Sequence, residues 1–102
     1  MSSSKVTKHD LDKSVQINQV KITLPSSNWQ GSEVPYTQTV SVSDATETNV
    51  LICAANPVLD NIEAVSDCKV MVTEQSVGTV TFTAFDGLPA IDLTFNLMVG
   101  GE

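Results

Sequence analysis

The chain contains no arginine, and its five basic side chains are all lysine. Twelve aspartates and glutamates outnumber them, so the formal net charge at neutral pH is −7. A surface that binds nucleic acid needs clustered lysine and arginine to neutralise phosphates, and anionic membrane lipids attract the same clusters. The composition therefore argues against nucleic acid and anionic lipid surfaces as partners. A negative net charge of this kind is typical of a surface that stays soluble through self-repulsion.

Long apolar runs are also missing. No segment approaches the roughly 18 apolar residues that a membrane-spanning helix needs, so we expect no membrane insertion. No basic region followed by an apolar stretch opens the sequence, so we expect no secretory signal, and synthesis in the cytoplasm with reduced thiols. The length of 102 residues suits one domain. We expect a flexible N-terminal segment over residues 1–14, which is rich in Ser and Lys, and a single β domain over residues 15–102.

The chain has few residues that could form a catalytic or metal-binding site. The two cysteines, Cys53 and Cys68, form no CxxC motif and have no histidine at ligand spacing, so we expect no metal site. They are either buried free thiols or a disulfide, and the sequence leaves both open. His9, the one histidine, lies in the segment expected to be flexible, which disfavours a Ser-His or Cys-His pair. No Gly-rich phosphate loop is present. We therefore expect no enzyme activity and no cofactor.

Alternation of apolar and polar residues is clearest between Val77 and Val99. Side chains on a strand point to opposite faces in turn, so alternation predicts a strand with one buried face. The segment Asp86–Ala90 contains Gly and Pro and predicts a short loop, so we expect the two flanking strands to pair as an antiparallel hairpin. Their apolar positions are Val80, Phe82 and Ala84 in the first run, and Ile91, Leu93, Phe95, Leu97 and Val99 in the second.

Three further alternating segments precede this hairpin. Val15–Leu24 changes parity at its centre, which predicts either a β-bulge or two short strands with a break. Tyr36–Ser43 alternates with Gln38 on its apolar side, and Cys68–Thr73 alternates regularly. Each segment therefore predicts at least one strand.

The run Val50–Ala55 is different because it is apolar at every position. A continuous apolar strand is expected to be covered on both faces, and the cover could be a helix, a second sheet or a neighbouring subunit. Asn56 and Pro57 follow and predict the start of a helix, with Asn as its N-cap. We expect Val58, Leu59, Ile62 and Val65 to face the core, and Asp60, Asn61, Glu63 and Asp67 to face solvent.

The longest polar loop, Pro25–Pro35, carries the one tryptophan of the chain, Trp29. Two interpretations of this residue stay open. The indole folds back as a lid over the edge of the core, or it anchors a partner or a carbohydrate ring, because Trp is enriched at interface hot spots. The candidate ligand or interface residues are therefore Asn28, Trp29, Tyr36 and Gln38.

Together these elements predict a mainly β fold. We expect an antiparallel β-sandwich-like domain of five or six strands, with one short helix between the third and fourth strands. The sheet order does not follow from the sequence.

Two stretches of the chain resemble a known family. The first, Ile22–Val42, reads ITLPSSNWQGSEVPYTQTVSV and contains a W-x-G loop followed by PYTQTV, the most specific part. The second, Val77–Val99, contains GTVTFTAF, a turn with Pro89, and IDLTFNLMV. In this order they resemble the small C-terminal β domain of phage and prophage tail-fibre or baseplate-associated structural proteins of Gram-positive bacteria. Thr48–Glu74, which includes both cysteines, departs from that family.

The resemblance implies a structural or assembly module of a phage or prophage tail fibre or baseplate. Such a module is made in the bacterial cytoplasm and located in the virion tail. It self-associates as a homo-oligomer, a trimer by analogy with fibre-like proteins, and contacts other phage tail or baseplate proteins. It carries no catalytic residue and no cofactor. The alternative is a receptor- or carbohydrate-binding module that recognises the host cell surface, with cell-wall polysaccharide as its ligand.

Overall fold

The computed structural model describes residues 17–100, with Ile17 described by its backbone alone. The predicted flexible segment 1–14 and His9 therefore lie outside the described residues. The elements are β1 (Ile17–Leu24), a 3-10 turn (Ser26–Asn28), β2 (Tyr36–Ser41), β3 (Leu51–Ala55), α1 (Leu59–Cys68), β4 (Val70–Ser76), β5 (Thr79–Ala84) and β6 (Leu93–Gly100). This confirms the predicted mainly β fold, with a short helix between the third and fourth strands.

The strands form two antiparallel three-stranded sheets. Sheet A has the order β1-β6-β3, and sheet B has the order β2-β5-β4. All pairings are antiparallel, and β6 and β5 are the central strands of their sheets. The two strands with the clearest alternation in the sequence are therefore the two strands that are hydrogen-bonded on both sides.

The predicted hairpin between β5 and β6 is wrong. β5 forms a hairpin with β4 instead, through a two-residue turn at Val77 and Gly78, in which Ser76 lies opposite Thr79. Gly78 has a φ of 79°, a conformation that glycine adopts without steric cost. The segment after β5 leaves sheet B and leads to sheet A. The first residues of this segment stay close to the end of α1, because the amide of Asp86 donates to the carbonyl of Cys68 at 2.9 Å.

The core lies between the inner faces of β5 and β6. The rings of Phe82 and Phe95 meet there with their centroids 4.9 Å apart and their planes inclined by 37°. A tilted pair at this distance gains more than the burial of its area alone. The surrounding buried apolar side chains are Ile22, Leu24, Trp29, Val42, Ala45, Val70, Val80, Ala84, Leu93, Leu97 and Val99.

The bulge lies in a different strand from the one predicted. β1 pairs with β6 residue for residue from Ile17 to Leu24, without a bulge or a break. The register shift falls in β4 instead, between Val72 and Glu74. The extra residue, Thr73, places its hydroxyl 2.7 Å from that of Thr83. The change of parity in the sequence of β1 marks the point where the strand enters the core, since Asn18 and Gln19 are exposed.

β3 is covered on one face, not on both as its apolar run predicts. Leu51, Cys53 and Ala55 are partly buried against the core. Val50 and Ile52 point away from it and are 63% and 55% exposed. The sequence therefore places apolar side chains on a face that the other described residues leave exposed.

The helix begins later than predicted and turns a partly different face inward. α1 starts at Leu59 with Val58 at the N-cap, not with Asn56. Val65 packs against the core as predicted. Asn61 is buried, whereas Leu59 and Ile62, which were predicted to face the core, are 68% and 43% exposed. The helix ends at Cys68, where Lys69 adopts a left-handed conformation. Within residues 17–100, no helix has the length and apolarity to cross a membrane.

Replacing Phe82 by Ala tests the core contact. The side chain is fully buried, so we expect the free energy of unfolding to fall by about 3–5 kcal/mol because a cavity is left between the sheets. Phe85→Ala is the matched control: its side chain is 44% exposed, and we expect a loss below about 1 kcal/mol. Urea denaturation measures both values, and equal losses at the two positions would contradict the described core.

Candidate functional site

The four candidate residues predicted from the sequence lie on and beside the loop between β1 and β2. Asn28 ends the 3-10 turn and is exposed, and Tyr36 is half-buried at the start of β2. Trp29 and Gln38 are only 9% and 3% exposed. The structure thus brings the four residues into one region but places two of them inside the core.

Trp29 is buried because its loop is fastened back onto β2. Gln30 and Thr37 exchange two backbone hydrogen bonds, with N···O distances of 2.7 and 3.1 Å. Gly31, with a φ of 122°, allows the chain to turn immediately after this bridge. The indole therefore packs into the core cluster, as the first of the two interpretations from the sequence expects, and offers no exposed ring face for stacking.

The side chain of Gln38 also holds this loop against β2. It lies opposite Phe82 in the register of sheet B, and its Nε2 donates to the carbonyl of Pro25 at 3.2 Å. Its Oε1 and the Nε1 of Trp29 are the buried side-chain polar atoms of the described residues that have no hydrogen-bond partner. Each such atom costs about 1–3 kcal/mol. The alternation of the sequence placed Gln38 on the apolar side of β2. The hydrogen bond from its Nε2 to the carbonyl of Pro25 explains how the core accommodates the polar side chain.

A cleft that contains none of these four residues opens beside the N-terminus of α1. Its volume is about 270 Å³. The lining comes from β1, the segment between β3 and α1, α1 itself and the start of β6. The lining residues are Lys21, Asn56, Val58, Asp60, Asn61, Ile91, Asp92 and Thr94.

Asn61 fixes the shape of this cleft by acting as an extra strand residue beside β6. Its Oδ1 accepts from the backbone amide of Thr94 at 2.8 Å, and its Nδ2 donates to the carbonyls of Thr94 and Asn56, both at 3.0 Å. The amide of Asn56 also donates to the carbonyl of Thr94, at 3.0 Å. The Asn61 side chain therefore continues the hydrogen-bond ladder where β3 stops, and it attaches α1 to sheet A.

The charged groups of the cleft are only partly free for a ligand. The Oδ1 of Asp92 accepts from the backbone amide of Ser26 at 2.8 Å and so holds the chain after β1. Asp60 lies in the first turn of α1, where the helix dipole favours a carboxylate. Lys21 contributes an exposed ammonium group. Together these groups could accept and donate hydrogen bonds to a small polar molecule, but two of the polar side chains, Asn61 and Asp92, already hold backbone.

A second polar network organises the segment that crosses from β2 to β3. The Nε2 of Gln75 donates to the carbonyls of Thr46 and Asn49 at 2.8 and 2.9 Å. The Nδ2 of Asn49 donates in turn to the carbonyls of Asp44 and Gly100. Sequence reasoning missed both amide networks, because an Asn or Gln in a polar segment has the same appearance whether its amide binds backbone or water.

Cys53 and Cys68 are free thiols, each partly buried. Burial raises the pKa of the Cys53 thiol to about 11. The pKa of Cys68 is also raised, first by burial and then by the neighbouring carboxylates of Asp67 and Asp86. Both groups are therefore protonated at neutral pH, a state in which a thiol is a poor nucleophile. Within residues 17–100, no group of three or more His, Cys, Asp or Glu side chains could hold a metal ion.

Comparison of the chain with protein-family models, with curated proteins and with solved structures gave no match. The functional interpretation therefore depends on the residues and on the resemblance described above.

Asn61→Ala and Asn61→Asp test the amide contact. The alanine variant leaves the part-buried amide of Thr94 unpaired, so we expect the free energy of unfolding to fall by about 1–3 kcal/mol. The aspartate variant can donate to a carbonyl only when its carboxyl is protonated. The folded state therefore raises the pKa of that carboxyl above the unfolded value of about 3.9.

The sign of the pH dependence follows from this raised pKa. Relative to wild type, Asn61→Asp is most stable below pH ~4 and loses stability as the pH rises through the folded-state pKa. Denaturation at several pH values measures this difference. Asn96→Ala, on the outward face of β6, is the control, with an expected change within about 0.5 kcal/mol. A pH-independent Asn61→Asp variant would show that the amide does not make these contacts.

Proposed function

We propose that this protein is a structural or assembly module of a phage or prophage tail fibre or baseplate. It is made in the bacterial cytoplasm, is incorporated into the virion tail and self-associates as a homo-oligomer. By analogy with fibre-like proteins the oligomer is a trimer. Its other partners are phage tail or baseplate proteins, and it performs no catalysis.

The observation that supports this proposal best is the number of large apolar side chains that are exposed among the described residues. Single exposed apolar residues are normal on a protein surface, but contiguous patches mark interaction sites. Exposed large apolar side chains occur on both sheets, on α1 and on the connecting loops. They are Val34, Val50, Ile52, Val58, Leu59, Ile62, Met71, Val77, Phe85, Leu88, Ile91 and Met98.

The polar side chains support a structural role because they are engaged in holding backbone. Asn61 and Asp92 fix the elements around the cleft, and Gln75 and Asn49 fix the segment between the sheets. The hydroxyls of Thr39 and Thr81 lie 2.8 Å apart on the outer face of sheet B. A module that assembles in many copies benefits from such a rigid scaffold, because less side-chain and loop freedom is lost on association.

The phage assignment rests on the resemblance of the two stretches Ile22–Val42 and Val77–Val99. In the fold these stretches supply the end of β1 together with β2, β5 and β6, which include the central strand of each sheet. The part that departs from the family, Thr48–Glu74, supplies β3, α1 and most of β4. The resemblance therefore covers the centre of both sheets, and the divergence lies at one of the two edge strands of each sheet, β3 and β4.

The alternative, a receptor- or carbohydrate-binding module, receives no support from Trp29. A sugar ring stacks on an exposed aromatic face, whereas the Trp29 indole is buried. Asn28 and Tyr36 remain accessible, but neither lines the described cleft. The assembly role is therefore the one that the geometry favours.

Quantitative mass spectrometry of purified tail particles tests the proposal. The particles are prepared from a host that encodes this chain, and isotope-labelled peptides of the chain serve as standards. We expect more than one copy of the chain per particle, because a self-associating module enters the tail as a closed oligomer. A major tail protein of known copy number calibrates the count. Particles that lack the chain, while the cell extract contains it, would contradict the proposal.

A further inference from the structure

The segment that connects β5 to β6 contains two neighbouring residues that can react with each other. Asp86 precedes Gly87, and it is the one aspartate or asparagine of the sequence that a glycine follows. The backbone nitrogen of the residue after an aspartate can attack the side-chain carboxyl carbon and close a five-membered ring. Glycine favours this attack, because it has no Cβ to hinder the approach.

The structure holds both reacting groups of this pair only weakly. The segment between Ala84 and Leu93 contains no helix or strand residue, and the Asp86 side chain is 61% exposed. Its carboxylate lies 3.5 Å from the ammonium group of Lys69, which is similarly exposed, and an ion pair at the surface contributes little. Within the described residues, no hydrogen bond from the Gly87 amide holds its nitrogen in place. The carboxyl carbon and the nitrogen can therefore approach each other.

The other aspartates in the described loops, Asp44 and Asp92, lack this combination. The amide of Ala45, which follows Asp44, is engaged in a backbone hydrogen bond of 2.9 Å. Asp92 accepts a hydrogen bond from the Ser26 amide, and the residue after it, Leu93, is fully buried. Each of these two aspartates is therefore followed by a nitrogen that is engaged or hindered, and Asp86 is not.

We propose that Asp86 is a site of spontaneous isomerisation to isoaspartate. In the first step the Gly87 nitrogen bonds to the carbon of the protonated Asp86 carboxyl group, the bond from that carbon to its hydroxyl breaks, and the hydroxyl leaves with the amide proton as water. The product is a cyclic succinimide. Water then adds to one of the two ring carbonyls: cleavage of the new bond restores aspartate, whereas cleavage of the original peptide bond gives isoaspartate. Water is the only co-reactant, and this inference does not depend on the proposed assembly function.

Isomerisation changes the backbone at a point that is fixed on both sides. Isoaspartate carries the main chain through its side-chain carbon and so lengthens it by one methylene group. On one side, the amides of Phe85 and Asp86 donate to the carbonyls of Lys69 and Cys68, at 3.2 and 2.9 Å respectively. On the other side, Pro89 is fully buried. We therefore expect the modified chain to unfold at a lower temperature than the unmodified chain.

Incubation of the purified full chain for several weeks at a physiological temperature tests the site. Cleavage after lysine then releases the peptide Val70–Glu102, because Lys69 is the last lysine of the chain, and Asp86 and Asp92 are the aspartates of this peptide. An endoproteinase that cleaves before aspartate does not cleave before isoaspartate. We expect cleavage at Asp86 to decrease with incubation time and cleavage at Asp92 to persist. Mass spectrometry with electron-transfer fragmentation identifies the isoaspartyl residue directly.

Two variants separate the ring closure from general degradation. Gly87→Ala adds a methyl group that hinders the attack. The added Cβ would lie 3.7 Å from the Sγ of Cys68, an ordinary contact that the fold accommodates. Asp86→Glu keeps the charge but has to close a less favourable six-membered ring. We expect isomerisation at position 86 to be several-fold slower in both variants, and circular dichroism verifies that each is folded.

The outcomes decide the proposal in either direction. Isoaspartate that accumulates at position 86 of the wild type, and several-fold more slowly in both variants, supports the site. A folded wild-type chain that forms no more isoaspartate at Asp86 than at Asp92 overturns it. A Gly87→Ala variant that isomerises as fast as the wild type also overturns it, because the reaction would then not depend on the glycine. Each of these results leaves the proposed assembly function standing.

Discussion

The fold depends on the contact between Phe82 and Phe95, whose rings lie 4.9 Å apart between the sheets. Each ring belongs to the central strand of its sheet, so each is held by hydrogen-bonded neighbours on both sides. A single three-stranded sheet of this size cannot bury its apolar face alone. Packing the two central strands face to face buries that surface for both sheets. It also determines which faces point outward.

The outer faces differ in character as a consequence. The outer face of sheet B is lined mainly by hydroxyl side chains, two pairs of which contact each other: Thr39 with Thr81, and Thr73 with Thr83. Such a face is satisfied in water. The outer face of sheet A instead carries Ile52 and Met98 beside each other. The amide networks of Asn61 and Gln75 hold the connecting segments in place around the two sheets.

The sequence predicts where the strands lie better than it predicts which strands pair with each other. Alternation identified β5 and β6 correctly, because period two reports which face is buried. It predicted the wrong pairing because a hairpin and two facing central strands have the same alternation. The predicted inner face of α1 was correct at Val65 but wrong at Asn61. Asn61 is buried because its amide hydrogen-bonds to backbone, which an apolar pattern does not show. The burial of Trp29 depends on a bridge between Gln30 and Thr37, which a polar loop sequence does not reveal.

Nuclear Overhauser contacts in the native protein test the central arrangement most directly. Backbone protons of β6 should contact those of β1 and β3, with Ile22 opposite Phe95 and Cys53 opposite Leu97. Between β5 and β6 the contacts should be confined to side chains, with Phe82 and Phe95 foremost. Backbone-to-backbone contacts between β5 and β6 would contradict this account, because they would restore the hairpin and place both strands in one sheet.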